Sequence, residues 1–248
     1  MKTAFITGAS SGIGRATAVA LSKAGFRLVV TGRRRERLED LAQELAGVPV
    51  HILTFDVRDR AATEDAIASL PAEFAEVDVL INNAGNAHGL APIQDGDPSD
   101  WDAMLDGNVK GLLYVSKALL PTMTRRKTGH IINIGSVAGH ETYANGNVYC
   151  ASKAAVAALT KGMRLDLLPH HIRVAEVNPG AVETEFSQVR FKGDADRAAT
   201  VYKGFEPLRA EDVADVIQFM VTRPPHVNIA EVLLFPAAQG AAATIHKE

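Results

Sequence analysis

The sequence predicts a single α/β domain, a doubly wound seven-stranded parallel sheet with helices on both faces, and three observations predict it. Short apolar runs rich in β-branched residues alternate with longer segments of helical period, as in a parallel sheet covered on both sides. A glycine-rich turn closes the first of those runs. The length, 248 residues of which 47% are hydrophobic and 22% charged, suits one domain with a sizeable core.

Strands are expected at 3–7, 28–31, 50–55, 79–82, 130–135, 173–177 and 231–235, and helices at 13–23, 34–45, 61–70, 101–126, 148–168 and 210–222. Right-handed crossovers between them wind the sheet. No repeat, low-complexity tract or linker divides the chain, so residues 1–248 form one nucleotide-binding unit. Residues 180–207 are longer than an ordinary connection, and segments of that length in a compact domain are often lids over a site. The tail, 237–248, carries no motif, and a subunit contact is one use for it.

The 26 basic residues are spread along a chain of net charge −3, which gives no support to a nucleic-acid partner. The one cysteine, Cys150, excludes an internal disulfide framework, offers no metal cluster and points to a reducing compartment. The opening residues read as a buried strand rather than a secretory signal. No stretch approaches the roughly 20 apolar residues that span a bilayer. No membrane partner, no metal and a cytoplasmic location are therefore expected.

Residues 7–14, Thr-Gly-Ala-Ser-Ser-Gly-Ile-Gly, stand where the first strand turns into the first helix. Glycines there let the backbone approach a pyrophosphate at the positive helix end, the arrangement of a Rossmann fold, so Gly8, Ser10, Ser11, Gly12, Ile13 and Gly14 are candidate cofactor contacts. An NAD site needs a carboxylate at the end of the second strand, whereas a 2′-phosphate needs cations. That strand ends in Gly32-Arg33-Arg34-Arg35. Guanidinium forks match phosphate oxygens, so Arg33 and Arg34 select NADP(H), and Arg15 could join them. A merely solvated basic turn would sit poorly at a helix N-terminus.

Tyr149 and Lys153 are four apart on a predicted helix and project from one face. A phenol of pKa near 10 is a poor base, but an ammonium and a cationic nicotinamide ring stabilise its phenolate. Such a pair also arises by chance on amphipathic helices. Three other features stand in order with it. Ser136, after the fifth strand, can hydrogen-bond a substrate oxygen as charge develops there. Asn108 is a poor interior helix former that could hold a water beside Lys153. Asn83, Ala84 and Gly85 follow the fourth strand and leave room for the adenosine side of a dinucleotide.

With these pieces in order the chain resembles the short-chain dehydrogenase/reductase family from Lys2 to about Pro236, the matched pieces being residues 7–14, Asp56-Val57, 82–85, Asn108, Ser136, 149–153 and Asn178-Pro179-Gly180 with Thr184. The resemblance implies Asp56 and Val57 near the adenine, and Tyr149 and Lys153 also on the nicotinamide ribose. It places Pro179, Gly180, Val182 and Thr184 near the nicotinamide amide. It further implies a homotetramer built partly on the helices around Asn108 and Lys153, where Ala151, Ala154, Ala155 and Ala158 form a small face. The alcohol's proton then passes to Tyr149 and its hydride to the nicotinamide.

Residues 184–194, with the turn 32–38 and residues 226–229, are similar to NADP-dependent 3-hydroxy acid dehydrogenases that oxidise serine, allo-threonine and related acids such as 3-hydroxypropionate. Arg190 and Lys192, in the lid segment, would then join Ser136 and Tyr149 at the substrate, a guanidinium pairing the carboxylate bidentately. Solvated lid charges are the plainer alternative for both. A general carbonyl or 3-oxoacyl thioester reductase shares the same fold and reacting groups. A regulator that senses NADP(H) without turnover would be expected to lose one of Asn108, Ser136, Tyr149 and Lys153, and all four are present.

Overall fold

A computed structural model describes residues 1–248. The first half of the chain runs β1 (Thr3–Ile6), α1 (Gly12–Lys23), β2 (Arg27–Gly32), α2 (Arg35–Glu44), β3 (Val50–Thr54), α3 (Arg60–Ala68) and β4 (Val79–Asn82). Next come α4 (Pro98–Leu105), α5 (Gly111–Arg126), β5 (Gly129–Ile134), α6 (Asn147–Leu167) and β6 (Ile172–Pro179). The remainder holds α7 (Phe186–Arg190), α8 (Ala195–Val201), α9 (Ala210–Val221), β7 (Glu231–Leu234) and a small hairpin, β8 (Gln239–Ala241) with β9 (Thr244–Ile245).

Seven strands pair in parallel in the order β3-β2-β1-β4-β5-β6-β7, so the winding reverses between β1 and β4 and a crevice opens at their carboxyl ends. Both faces are covered, which is why these strands read as continuous apolar runs rather than alternating ones. Ala4 and Ile6 on β1 pack with Leu21, Leu38, Leu41 and Ile217 under α1, α2 and α9. Phe5, between them, points the other way and packs with Ile67, Leu119 and Met123 under α3 and α5. No helix is long and apolar enough to cross a membrane.

The expected helix over 101–126 is interrupted. It starts at Pro98, after the N-cap Asp97, whose carboxylate accepts from Ser99 N–H at 2.9 Å. Between α4 and α5 lies one π-helical turn, Asp106–Lys110, which carries Asn108. The lid segment holds two short helices, α7 and α8. The tail folds back on that segment: Gln239 Oε1 accepts from Ala181 N–H at 2.8 Å, and Glu248 N–H donates to Gly204 O at 2.9 Å.

Candidate active site

Above the carboxyl ends of the strands lies a cleft of about 500 Å3. Its floor is two loops stitched together across the switch point. Thr7 Oγ1 accepts from the N–H groups of Asn83 and Ala84, each at 2.9 Å, and Asn83 Nδ2 donates to Thr7 O at 2.9 Å. Gly8 has φ +66°, and a Cβ there would come 2.9 Å from Asn83 Nδ2, so only glycine fits both the turn and the stitch. Ser11, the N-cap of α1, makes no capping bond with its side chain. The first N–H groups of α1 therefore remain available to an anion at the cleft.

Ser11 Oγ instead accepts from Arg34 Nη2 at 2.9 Å, and Ser10 Oγ accepts from the same nitrogen at 3.2 Å. Arg34 Nη1 also meets Glu185 Oε2 at 2.9 Å. Arg37 binds that carboxylate too, and the two cations hold it below the usual carboxylate range against partial burial. Arg33, its side chain 60% exposed, stands at the mouth 3.8 Å from Asp56. Asp56, Val57, Asn83, Ala84, Gly85, Pro179, Gly180, Val182 and Thr184 all line the cleft.

Tyr149 and Lys153 enter from the first turns of α6 and are only 8% and 7% exposed. Burial pushes the Tyr149 hydroxyl up to about 12, with Arg190 and then Ser136 pulling against it. Burial also draws Lys153 down to about 8, with Glu176 opposing. Lys153 Nζ donates to Ile134 O at 2.9 Å, which fixes the ammonium against the end of β5. Ser136, two residues further, donates its N–H to Asn178 Oδ1 at 2.9 Å and faces the cleft.

From the lid, α7 delivers Arg190. Its guanidinium lies 5.0 Å from the Tyr149 ring and 5.5 Å from that of Phe186, and Nη2 donates to Tyr143 Oη at 2.6 Å. Its Nε is buried with no hydrogen-bond partner, and no carboxylate of the chain pairs with it. Lys153 Nζ stands 6.0 Å from the centre of the Tyr149 ring, so of the two cations Arg190 lies nearer that centre.

Residues 2–195 match the model of the short chain dehydrogenase family. The chain belongs to that family. Along 100% of its length it is 45% identical to an NADP-dependent 3-hydroxy acid dehydrogenase of Schizosaccharomyces pombe, covering 97% of that protein. A serine 3-dehydrogenase of Agrobacterium fabrum is 44% identical over 96% of this chain and 94% of its own. Among solved structures, the closed form of a serine dehydrogenase complexed with NADP+ superposes with a TM-score of 0.94 at 44% identity, covering 99% of this chain and 100% of that one.

In this short-chain dehydrogenase several residues stand elsewhere than their sequence suggests. Gly14 does not line the cleft; a Cβ there would overlap Gly8 O and Asn83 Nδ2, so its absence lets α1 seat against the turn. Arg15 pairs with Glu44 and does not join Arg33 and Arg34. Lys192 is not at the substrate end. Its side chain is absent from the cleft wall, and its ammonium sits 3.0 Å from Asp100 and 3.6 Å from Asp97. Those carboxylates belong to α4 and its cap, so Lys192 ties the lid to that helix.

Asn108 does not have a side chain free to hold a water at Lys153. Its Oδ1 accepts from Asn86 N–H at 2.8 Å, and its Nδ2 donates to Asn86 O at 2.8 Å and Ser152 Oγ at 2.9 Å. It clamps the β4 loop to α6. Residues that sequence reasoning missed are Tyr143, Phe186, Tyr202 and the tail residues Gln239, Ala242 and Ile245, all on the cleft wall. Only the aromatic content of the lid hinted at Phe186 and Tyr202; the tail has too few residues per strand to show a period. Replacing Asn108 with Ala leaves the Asn86 backbone groups unpaired and is expected to cost about 2–4 kcal/mol of stability, read from urea unfolding.

Proposed function

We propose that the chain is an NADP-dependent dehydrogenase that moves a hydride between the nicotinamide and the hydroxyl-bearing carbon of a small 3-hydroxy acid such as serine, allo-threonine or 3-hydroxypropionate. The observation that carries the acid is Arg190, a guanidinium aimed into the cleft over Tyr149 with no carboxylate of its own. A substrate carboxylate is the partner it lacks. A neutral carbonyl compound or a thioester would leave that charge unmatched in a partly dry site. The names of the S. pombe and A. fabrum relatives support the same substrate class.

The residues present fit the dinucleotide. Gly8 and the uncapped start of α1 suit a pyrophosphate, Arg33 and Arg34 suit a 2′-phosphate, and the walls at Asp56, Val57, Ala84, Gly180 and Thr184 suit its two ends. NADP(H), when bound, supplies or accepts the hydride. The protein supplies the proton path and the charge balance. Tyr149 Oη takes the proton of the substrate hydroxyl in oxidation and returns it in reduction. Ser136 Oγ hydrogen-bonds the same oxygen while negative charge grows there. Arg190 and Lys153 lower the cost of ionising a buried phenol.

The reading includes a cytoplasmic homotetramer. Ala151, Ala154 and Ala158 lie exposed along α6, and Leu113 is exposed on α5, a small and apolar face that a second copy would cover.

Replacing Tyr149 with Phe is expected to lower kcat by about 10²- to 10⁴-fold while NADPH still binds, checked by turnover alongside fluorescence titration of the cofactor. Changing both Arg33 and Arg34 to Ala is expected to raise KM for NADPH roughly ten- to a hundredfold and to leave that for NADH nearly unchanged. Equal changes would remove the 2′-phosphate assignment. Arg190→Ala is expected to raise KM for 3-hydroxy acids by roughly tenfold or more and to leave KM for neutral alcohols nearly unchanged in a parallel assay, while kcat falls on both because the phenol loses a neighbouring cation. An equal rise in KM on both substrate types would mean that Arg190 does not bind the carboxylate.

A further inference from the structure

The reaction as described leaves one buried carboxyl without a use. Glu176 lies on β6, 1% exposed, and its Oε1 has no hydrogen-bond partner. An acid so placed is costly unless it is neutral or faces an opposite charge. A glutamine would fill the same volume at less cost, so the carboxyl calls for a reason.

Its surroundings connect it to the reacting groups. A Cβ on Gly135 would overlap both Glu176 Oε1 and Asn178 Oδ1, so the missing side chain is the cradle in which the carboxyl rests. Gly135 stands between Ile134, whose carbonyl accepts from Lys153 Nζ at 2.9 Å, and Ser136, which lines the cleft. The cations that act on Glu176 are Lys153 and Lys161, both from α6. From β7 it faces Glu231, its register partner across the sheet.

On the outer side, Glu231 Oε1 accepts from Asn178 Nδ2 at 3.2 Å and sits 3.0 Å from His140 Nε2, its side chain 31% exposed. Glu176 thus lies between an ammonium buried beside the reacting phenol and a carboxylate in contact with solvent. Burial first, then the like charge of Glu231, push it up to about 7, and Lys153, the Asn178 amide and Lys161 pull it back. In return it is the one charge that supports the Lys153 ammonium against burial.

We propose that Glu176 is a positioning residue for hydride transfer, the buried counter-charge that keeps Lys153 protonated beside Tyr149, with Glu231 setting how much charge Glu176 carries. This rests on the dehydrogenase reading of the cleft. When Glu176 is ionised, Lys153 holds its proton and the Tyr149 phenolate has a cation behind it. When Glu176 takes up a proton, no charge opposes burial at Lys153, only the Ile134 carbonyl holds the ammonium, and the neutral amine gains ground. No group leaves and no bond to carbon changes; one proton is redistributed.

The decisive measurement is the titration of the Lys153 side-chain signal by NMR in the chain labelled with 13C-lysine and free of cofactor, the signal being identified by its loss in Lys153→Arg. In Glu176→Gln its midpoint is expected to fall by about one pH unit. The rise of 3-hydroxy acid oxidation with pH is expected to move to higher pH, with KM for NADP+ unchanged. In Glu231→Gln the like charge on Glu176 is gone, Glu176 ionises more readily, and both changes are expected with the opposite sign. The second variant lies near the surface and carries the test if the first does not fold. A Lys153 midpoint that stays put in either folded variant overturns the proposal. Absence of 3-hydroxy acid oxidation by the unmodified chain would instead overturn the dehydrogenase reading, and the lysine titration would still judge Glu176.

Discussion

Burying a phenol and an ammonium side by side sets two demands that pull in opposite directions, since desolvation favours the neutral form of each while the proposed chemistry needs both charged. The chain answers with charges placed around them. Arg190 reaches over the Tyr149 ring from the lid, and Glu176 acts on Lys153 from within the sheet. These two supports come from opposite sides of the pair. The ionisation of Tyr149 is consequently tied to whether the lid is seated, because α7 carries the guanidinium.

The same constraint explains how the scaffold is spent. The stitch from Thr7 to Asn83 and Ala84 and the clamp from Asn108 to Asn86 and Ser152 make no contact with a reacting atom, yet they set the distance between α6 and the switch point. Buried side-chain amides with all their hydrogen bonds made are stiff, and stiffness at this spot lets a fixed dipole stand where water would otherwise reorganise. The tail and lid then close the other side with Gln239 and Tyr202, whose hydroxyl donates to Val182 O at 2.8 Å.

The sheet was legible because both-sided burial writes long apolar runs, and the Tyr149–Lys153 pair because helix geometry turns a spacing of four into one face. Arg190 was legible as a cation in a lid, but Tyr143, its hydrogen-bond partner, comes from a loop far away in the chain and no local pattern joins them. Lys192 misled because a charge two residues further reads as equivalent; its pairing with Asp97 and Asp100, some ninety residues away in the chain, decides otherwise, and no local pattern marks it. Asn108 was visible as a polar residue out of place in a helix. That its amide is saturated depends on Asn86 and Ser152, neighbours only in space. Glu176 was hidden for the same reason, one acid within an apolar strand.

The π turn between α4 and α5 holds one residue more than regular winding needs. Because the wider turn absorbs that residue, the positions of α5 that face the core are offset by roughly 100° from those an unbroken helix would present. That phase is what lets Met104 pack beside Tyr149 while Val115, Leu119 and Met123 still face the sheet. Removing one residue from Asp106–Lys110 would restore regular winding with that stripe still on the sheet, and would instead pull Asn108 away from Asn86 and Ser152.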